Sequence, residues 1–186
     1  MSNSNPSPKE RAAHFIAQLR SVRNDRGSLA ALRRGLSPST VVDAWPVVAR
    51  LGGNIGQPGE SVDVDIAALF ALHPEESDAR NFGVTCRDIA MAASSDRTLP
   101  ESYERRFRRL LASGDGPDLS RQLRSWVRLA ASKGMSVNYE SLFADLWNWR
   151  WYADDIRVNW ARAFWQAGEF TATDSPNKTS NQPVIL

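Results

Sequence analysis

Apolar residues recur along this chain with a helical period almost from end to end. Residues 9–22 place Ala12, Phe15, Ile16, Leu19 and Val22 on one stripe, the spacing of a helix with one face on a core. Ser28 is placed to cap a short helix carrying Leu29 and Leu32. Ser37-Pro38 reads as an N-cap with proline at the first helical position, opening a segment to about Trp45 that Pro46 bends or breaks. Gly52, Gly53, Gly56, Pro58 and Gly59 form a loop. Further helices are expected at 61–72, ended by His73-Pro74, at 84–93, at 101–113 and at 118–132, the last closed by Lys133-Gly134. Asn138 caps another to about Trp149, and Asp154 starts a final one to about Gly168. The one alternating stretch, Val62 to Ile66, is too short and runs into AALFAL, so no strand is expected.

The expected fold is all-α, with about nine helices in two helical subdomains. The break falls in SSDRTLP at 94–100, giving an N-terminal subdomain at 9–96 and a C-terminal bundle at 97–170. Residues 1–8 and 171–186 are rich in Ser, Asn and Pro and read as a disordered N-terminus and a flexible tail. With 186 residues, 42% apolar and 24% charged, the composition is that of a folded globular protein. No apolar run is long enough to span a membrane and no signal peptide is visible, so a cytoplasmic location without membrane contact is expected.

The net charge of +2 hides strong segregation. Residues 9–34 carry seven basic and two acidic side chains, 35–78 carry one and seven, and 97–133 carry nine and four. Two basic blocks therefore alternate with acidic ones, which can build a one-sided positive surface on a nearly neutral protein. Lysine is found only at Lys9, Lys133 and Lys178 among the 23 basic residues. Arginine's planar fork suits phosphate oxygens, but the ratio is equally the signature of a GC-rich genome, so position decides.

Position singles out two helices. In ESYERRFRRLLAS the apolar face is Tyr103, Phe107, Leu110 and Leu111. Arg105, Arg108 and Arg109 share about a third of the circumference opposite, with Arg106 at the flank. In the next helix Leu119, Leu123, Trp126, Val127 and Ala130 are apolar, while Arg121, Arg124 and Arg128 span only about 60°. Glu101 and Glu104 can pair with Arg105 and Arg108. No acid lies three or four residues from Arg124 or Arg128, and unpaired arginine rows fit a phosphate backbone better than an ordinary solvated face.

Five of the seven tryptophans lie in 139–165. Leu142, Phe143, Leu146, Trp149, Ile156, Trp160 and Phe164 keep core spacing. Trp147, Trp151 and Trp165 fall off it and are candidates for a protein interface. Enzymatic signals are thin. There is no P-loop, GxGxxG, GxSxG or HExxH motif, and the single cysteine, Cys86, excludes a disulfide framework or multi-cysteine zinc site. Asp63 with Asp65 and Asp154 with Asp155 lie near helix starts, where acids favour the dipole. They form no metal constellation, so no cofactor and no catalysis are expected.

LAALRRGLSPSTVVDAWPVVARL at 29–51, GVTCRDIAMA at 83–92, ESYERRFRRLLAS at 101–113 and the segment at 123–165, which closes on VNWARAFW, resemble the CasB family. CasB is the small subunit of the type I-E CRISPR complex Cascade, and the resemblance covers about residues 9–167. It rests on the order of these segments and the closing W-A-R-x-F-W, and the loop at 52–60 and the tail after 170 depart from it. It implies an all-helical, non-enzymatic subunit present in two copies beside other Cascade subunits. Such a subunit binds nucleic acid without sequence specificity and helps hold crRNA on target DNA, together with the displaced strand. The family's basic positions map onto Arg33, Arg34, Arg105, Arg106, Arg109 and Arg124. Joined to the arginines read from spacing, Arg121 and Arg128 with Arg26 beside them, these form the expected nucleic-acid surface. The alternative is a purely structural helical adaptor that touches only protein.

Overall fold

The computed structural model describes residues 7–166 except Arg80 and Arg97; the termini expected to be flexible lie largely outside the described residues. Among them are eight α-helices and no strand: α1 (Pro8–Ser21), α2 (Arg26–Arg33), α3 (Trp45–Arg50), α4 (Glu60–Leu72), α5 (Phe82–Met91), α6 (Glu101–Leu111), α7 (Pro117–Lys133) and α8 (Tyr139–Trp165). A short 3-10 turn, Arg34–Leu36, follows α2, and a second, Val41–Asp43, stands where the spacing predicts a longer helix from Ser37-Pro38 to about Trp45.

The stripes read from spacing are the buried faces. Phe15, Ile16 and Leu19 of α1, the five apolar positions of α7, and the seven core positions of α8 all lie in one hydrophobic cluster. The long α8 is its axis, packed against α1, α4 and α5, while α7 rests on α4, α5 and α6. Ser7 and Glu10 form a reciprocal capping box on α1, Asn81 and Asn138 cap α5 and α8, and Gly134 ends α7 in the left-handed conformation (φ 66°).

Three local expectations are corrected. Pro46 does not end a helix but sits in the first turn of α3, where its missing N–H costs nothing. The cap of α2 is Asp25, whose carboxylate accepts from Gly27 and Ser28 N–H; Ser28 lies inside the helix, buried, and its hydroxyl accepts from Arg50. The last two expected helices are joined into α8, bent at Tyr152 (φ −132°, ψ 27°).

That bend brings together side chains that a straight helix would hold far apart. The Trp149 and Trp160 rings are 5.3 Å apart, and Trp160 Nε1 donates to Asp145 Oδ2 at 2.7 Å. Fifteen residues of straight helix would separate 145 and 160 by about 22 Å. Burial pushes the Asp145 carboxyl up to about 6, against the lowering by the indole hydrogen bond. A carboxyl raised on folding favours the folded state when protonated. That stability is full below about pH 4 and is lost as pH rises through about 6. Asp145→Asn keeps an acceptor for Trp160 and removes the charge. Its expected effect is a gain of about 1–3 kcal/mol at neutral pH that vanishes in acid, read from denaturation midpoints across that window.

Candidate functional site

The flank of α6 and the arginine row of α7 meet at a shallow groove of about 400 Å³, lined by Arg106, Arg121, Arg124, Ser125, Arg128 and Leu129. The apolar faces set this geometry. Phe107 meets Trp126 edge-on at 6.2 Å and stacks on Phe164 at 4.0 Å, and Tyr103 lies 6.1 Å from Trp126. With both apolar faces turned into the core, the flank of α6 and the row on α7 are left facing one another.

Arg106 reaches across the groove, donating from Nη1 to Ser125 Oγ at 2.8 Å. Arg121 is exposed and keeps a 3.4 Å ion pair with Asp118. Arg128 is exposed and Arg124 half-buried, and neither has a carboxylate within 4 Å among the described residues. Arg124 Nε is buried without a hydrogen-bond partner. Burial and the neighbouring Arg128 charge hold the Arg124 guanidinium below its ordinary pKa, partly offset by the Asp65 carboxylate of α4. Four guanidinium groups thus converge with far less counter-charge than they carry, and their planar forks of N–H donors suit an anion with several acceptor oxygens, such as phosphate.

The other expected arginines lie elsewhere. Arg105 and Arg108 are exposed on α6 with weak pairs to Glu101 (3.9 Å) and Glu104 (3.4 Å), and Arg109 is exposed without an ion pair among the described residues. They extend the positive face beyond the groove. Arg33 donates from Nε to Ala71 O at 2.7 Å, Arg34 pairs with Asp43 at 3.0 Å, and Arg26 is exposed at the start of α2. None of these three lines the groove.

Of the off-stripe tryptophans, Trp151 is the exposed one, at 66%, next to Tyr152 at 58% on the bend of α8. Trp147 stacks on Phe143, lies beneath Arg11 (4.7 Å) and fills the space beside Gly59, whose positive φ of 94° lets the loop close over the ring. Trp165 packs edge-on to Phe107 and donates to Glu104 at 3.2 Å, tying the end of α8 to α6.

Three of the four paired acids have structural partners, Asp65 accepting from Ser120. Asp63 is buried against Arg11 and the Asn54 N–H, and Asp154 pairs with Arg157. Cys86 is fully buried, with burial pushing its thiol up, and His73 meets Met135 O at 2.8 Å. Among the described residues no group of three or more His, Cys, Asp or Glu side chains is placed to hold a metal ion, and no helix is long and apolar enough to cross a membrane.

The described residues thus form an all-helical scaffold with a groove of arginines on one side. The sequence profile of the CRISPR-associated protein Cse2 matches residues 28–165, and this chain belongs to the Cse2/CasB family, the small subunits of type I-E CRISPR Cascade complexes, which are non-catalytic. A Cse2-family CRISPR-associated protein from Thermus thermophilus is 25% identical with a TM-score of 0.67, over 87% of this chain and 99% of that one. Two CasB structures share the fold at lower identity. The one from M. ruber is 24% identical, with a TM-score of 0.65 over 87% and 94% of the two chains. The one from Thermobifida fusca is 19% identical, with a TM-score of 0.66 over 82% and 96%. Comparison with curated proteins gives no match.

Proposed function

We propose that this subunit binds the nucleic-acid backbone without reading sequence, through the α6–α7 groove and the arginines beside it. In doing so it holds crRNA on target DNA and steadies the displaced strand. The observation that carries this reading is the convergence of Arg106, Arg121, Arg124 and Arg128 on one groove, with no ion pair to Arg124 or Arg128 among the described residues. Each phosphate contact releases condensed counterions and adds affinity without regard to base. R-loop formation is nearly balanced, since the heteroduplex gained is about as stable as the duplex lost, so a few backbone contacts suffice to tip it. Other Cascade subunits and a second copy of this chain are the protein partners on this reading, and the cytoplasm is its site of action.

Cys86 is buried and leaves the surface free of native thiols among the described residues, so one introduced cysteine can report where a strand lies. A photoactivatable crosslinker on Ser125→Cys, inside the groove, is expected to capture a single-stranded oligonucleotide in a salt-sensitive way. The same group on Ala13→Cys, exposed on α1, is expected to give only background. Equal capture from both sites would remove the groove from the account.

A second reading, a helical adaptor that touches only protein, draws on the exposed Trp151 and Tyr152 at the bend of α8. It predicts full oligonucleotide indifference of the isolated subunit and loss of complex assembly in Trp151→Ala.

A further inference from the structure

The arginine groove is undercut by one carboxylate. Asp65 of α4 lies beneath the first turns of α7, where its Oδ2 accepts from Ser120 Oγ at 2.5 Å. Ser120 is one helical turn before Arg124, so the hydrogen bond seats the carboxylate under the arginine row. Arg124 is the charged side chain that bears on Asp65; among the described residues none from α2, α3 or α8 does. Asp65 is two residues from Asp63, which faces Arg11 and takes no part here. No spacing rule connects positions 65 and 124, since they meet only through the packing of α4 on α7.

We propose that Asp65 is a built-in counter-ion of the groove, attenuating its hold on phosphate from beneath the arginine row. This rests on the reading of the groove as a phosphate site and specifies how that site is regulated. A carboxylate buried behind Arg124 offsets part of the potential that draws an anion into the groove. A phosphate entering the groove meets the opposing charge of Asp65 through space, so neutralising Asp65 tightens binding and binding raises the proton affinity of Asp65 by the same coupling. Burial already pushes this carboxyl up to about 6, against the opposing pulls of Ser120 and Arg124, so its charge is within reach of modest acidification. The subunit thereby holds a strand firmly enough to support pairing without an unchecked cationic surface that binds any polyanion.

The test measures binding of a fluorescent single-stranded oligonucleotide at fixed salt, from about pH 7.5 down to about pH 5. Asp65→Asn, which keeps an acceptor for Ser120, is expected to bind about five- to tenfold tighter than wild type at the upper end. The two are expected to converge at the lower end as the wild-type carboxyl protonates. The exposed His14 and the buried His73 are common to both proteins and cancel in the ratio. Ser120→Ala removes a hydrogen bond that favours the ionised carboxyl, and is expected to shift the convergence to higher pH without adding charge. Equal or weaker binding by Asp65→Asn across the range, while loss of Arg124 and Arg128 still weakens binding, overturns the counter-ion and leaves the groove standing. No effect from either set of changes overturns both.

Discussion

Gly83→Ala is expected to cost at least about 3 kcal/mol of stability, or to prevent folding, although alanine is the better helix former by about 1 kcal/mol. A Cβ at position 83 would run into the Trp160 carbonyl oxygen and lie 2.7 Å from its Cα, so the contact is backbone and cannot swing aside. α5 would have to lift off α8, and the junction it would open is dense. The Phe82 and Trp160 rings are 5.5 Å apart, Asn81 Nδ2 donates to Asn159 O at 3.3 Å, and Arg87 Nη1 donates to Phe164 O at 2.7 Å. Trp160 and Phe82 are both fully buried, and the voids left around them add the cavity cost of a large-to-small core change. Gly114 is the internal control, since a Cβ there meets nothing within 4 Å. Gly114→Ala should stay within about 0.5 kcal/mol of wild type in the same denaturant titration. Comparable midpoints for the two variants would show that α5 and α8 are not in backbone contact.

Much of this architecture is legible from spacing because a helix repeats itself locally. The apolar stripes of α1, α7 and α8 are buried as read, and the two arginine rows fall opposite the stripes as a 3.6-residue period requires. Features that depend on residues distant in sequence are not legible in this way. Hairpin-like contact within α8 follows from a single non-helical residue, Tyr152, and no proline or glycine marks it. Trp147 and Trp165 lie off the core stripe yet are covered, one by the loop at Gly59 and Arg11, the other by Glu104 and Phe107. Spacing along one helix cannot show a lid supplied by another.

The site follows the same division. The rows are visible as rows, while the groove is not: it joins the α7 row to Arg106, which sits at the flank of α6 and bridges to Ser125, and leaves Arg105, Arg108 and Arg109 outside. Arg33 and Arg34, brought in by family resemblance, sit against α4 and Asp43 and line a different part of the surface. The acid that tempers Arg124 lies not three or four residues away but on α4, where helix spacing has nothing to say.

Arg124→Ala combined with Arg128→Ala removes the two groove cations that have no carboxylate within 4 Å among the described residues, and it is expected to weaken single-stranded DNA binding by at least about tenfold at moderate salt. Neither residue belongs to the buried stripe of α7, Arg128 being exposed and Arg124 half-buried at its flank, so the helix should survive, and a far-ultraviolet circular dichroism spectrum matching wild type confirms it. Affinity alone would not separate loss of phosphate contacts from a small distortion of the surface. The salt dependence does so, because each lost contact with a single strand removes about 0.7 from the slope of log affinity against log salt. The decisive measurement is therefore that slope for wild type and the double variant, taken on two oligonucleotides of unrelated sequence. The account predicts the same steep slope on both sequences for wild type, shallower by about 1.4 in the variant. An unchanged slope and affinity in the folded variant would contradict it.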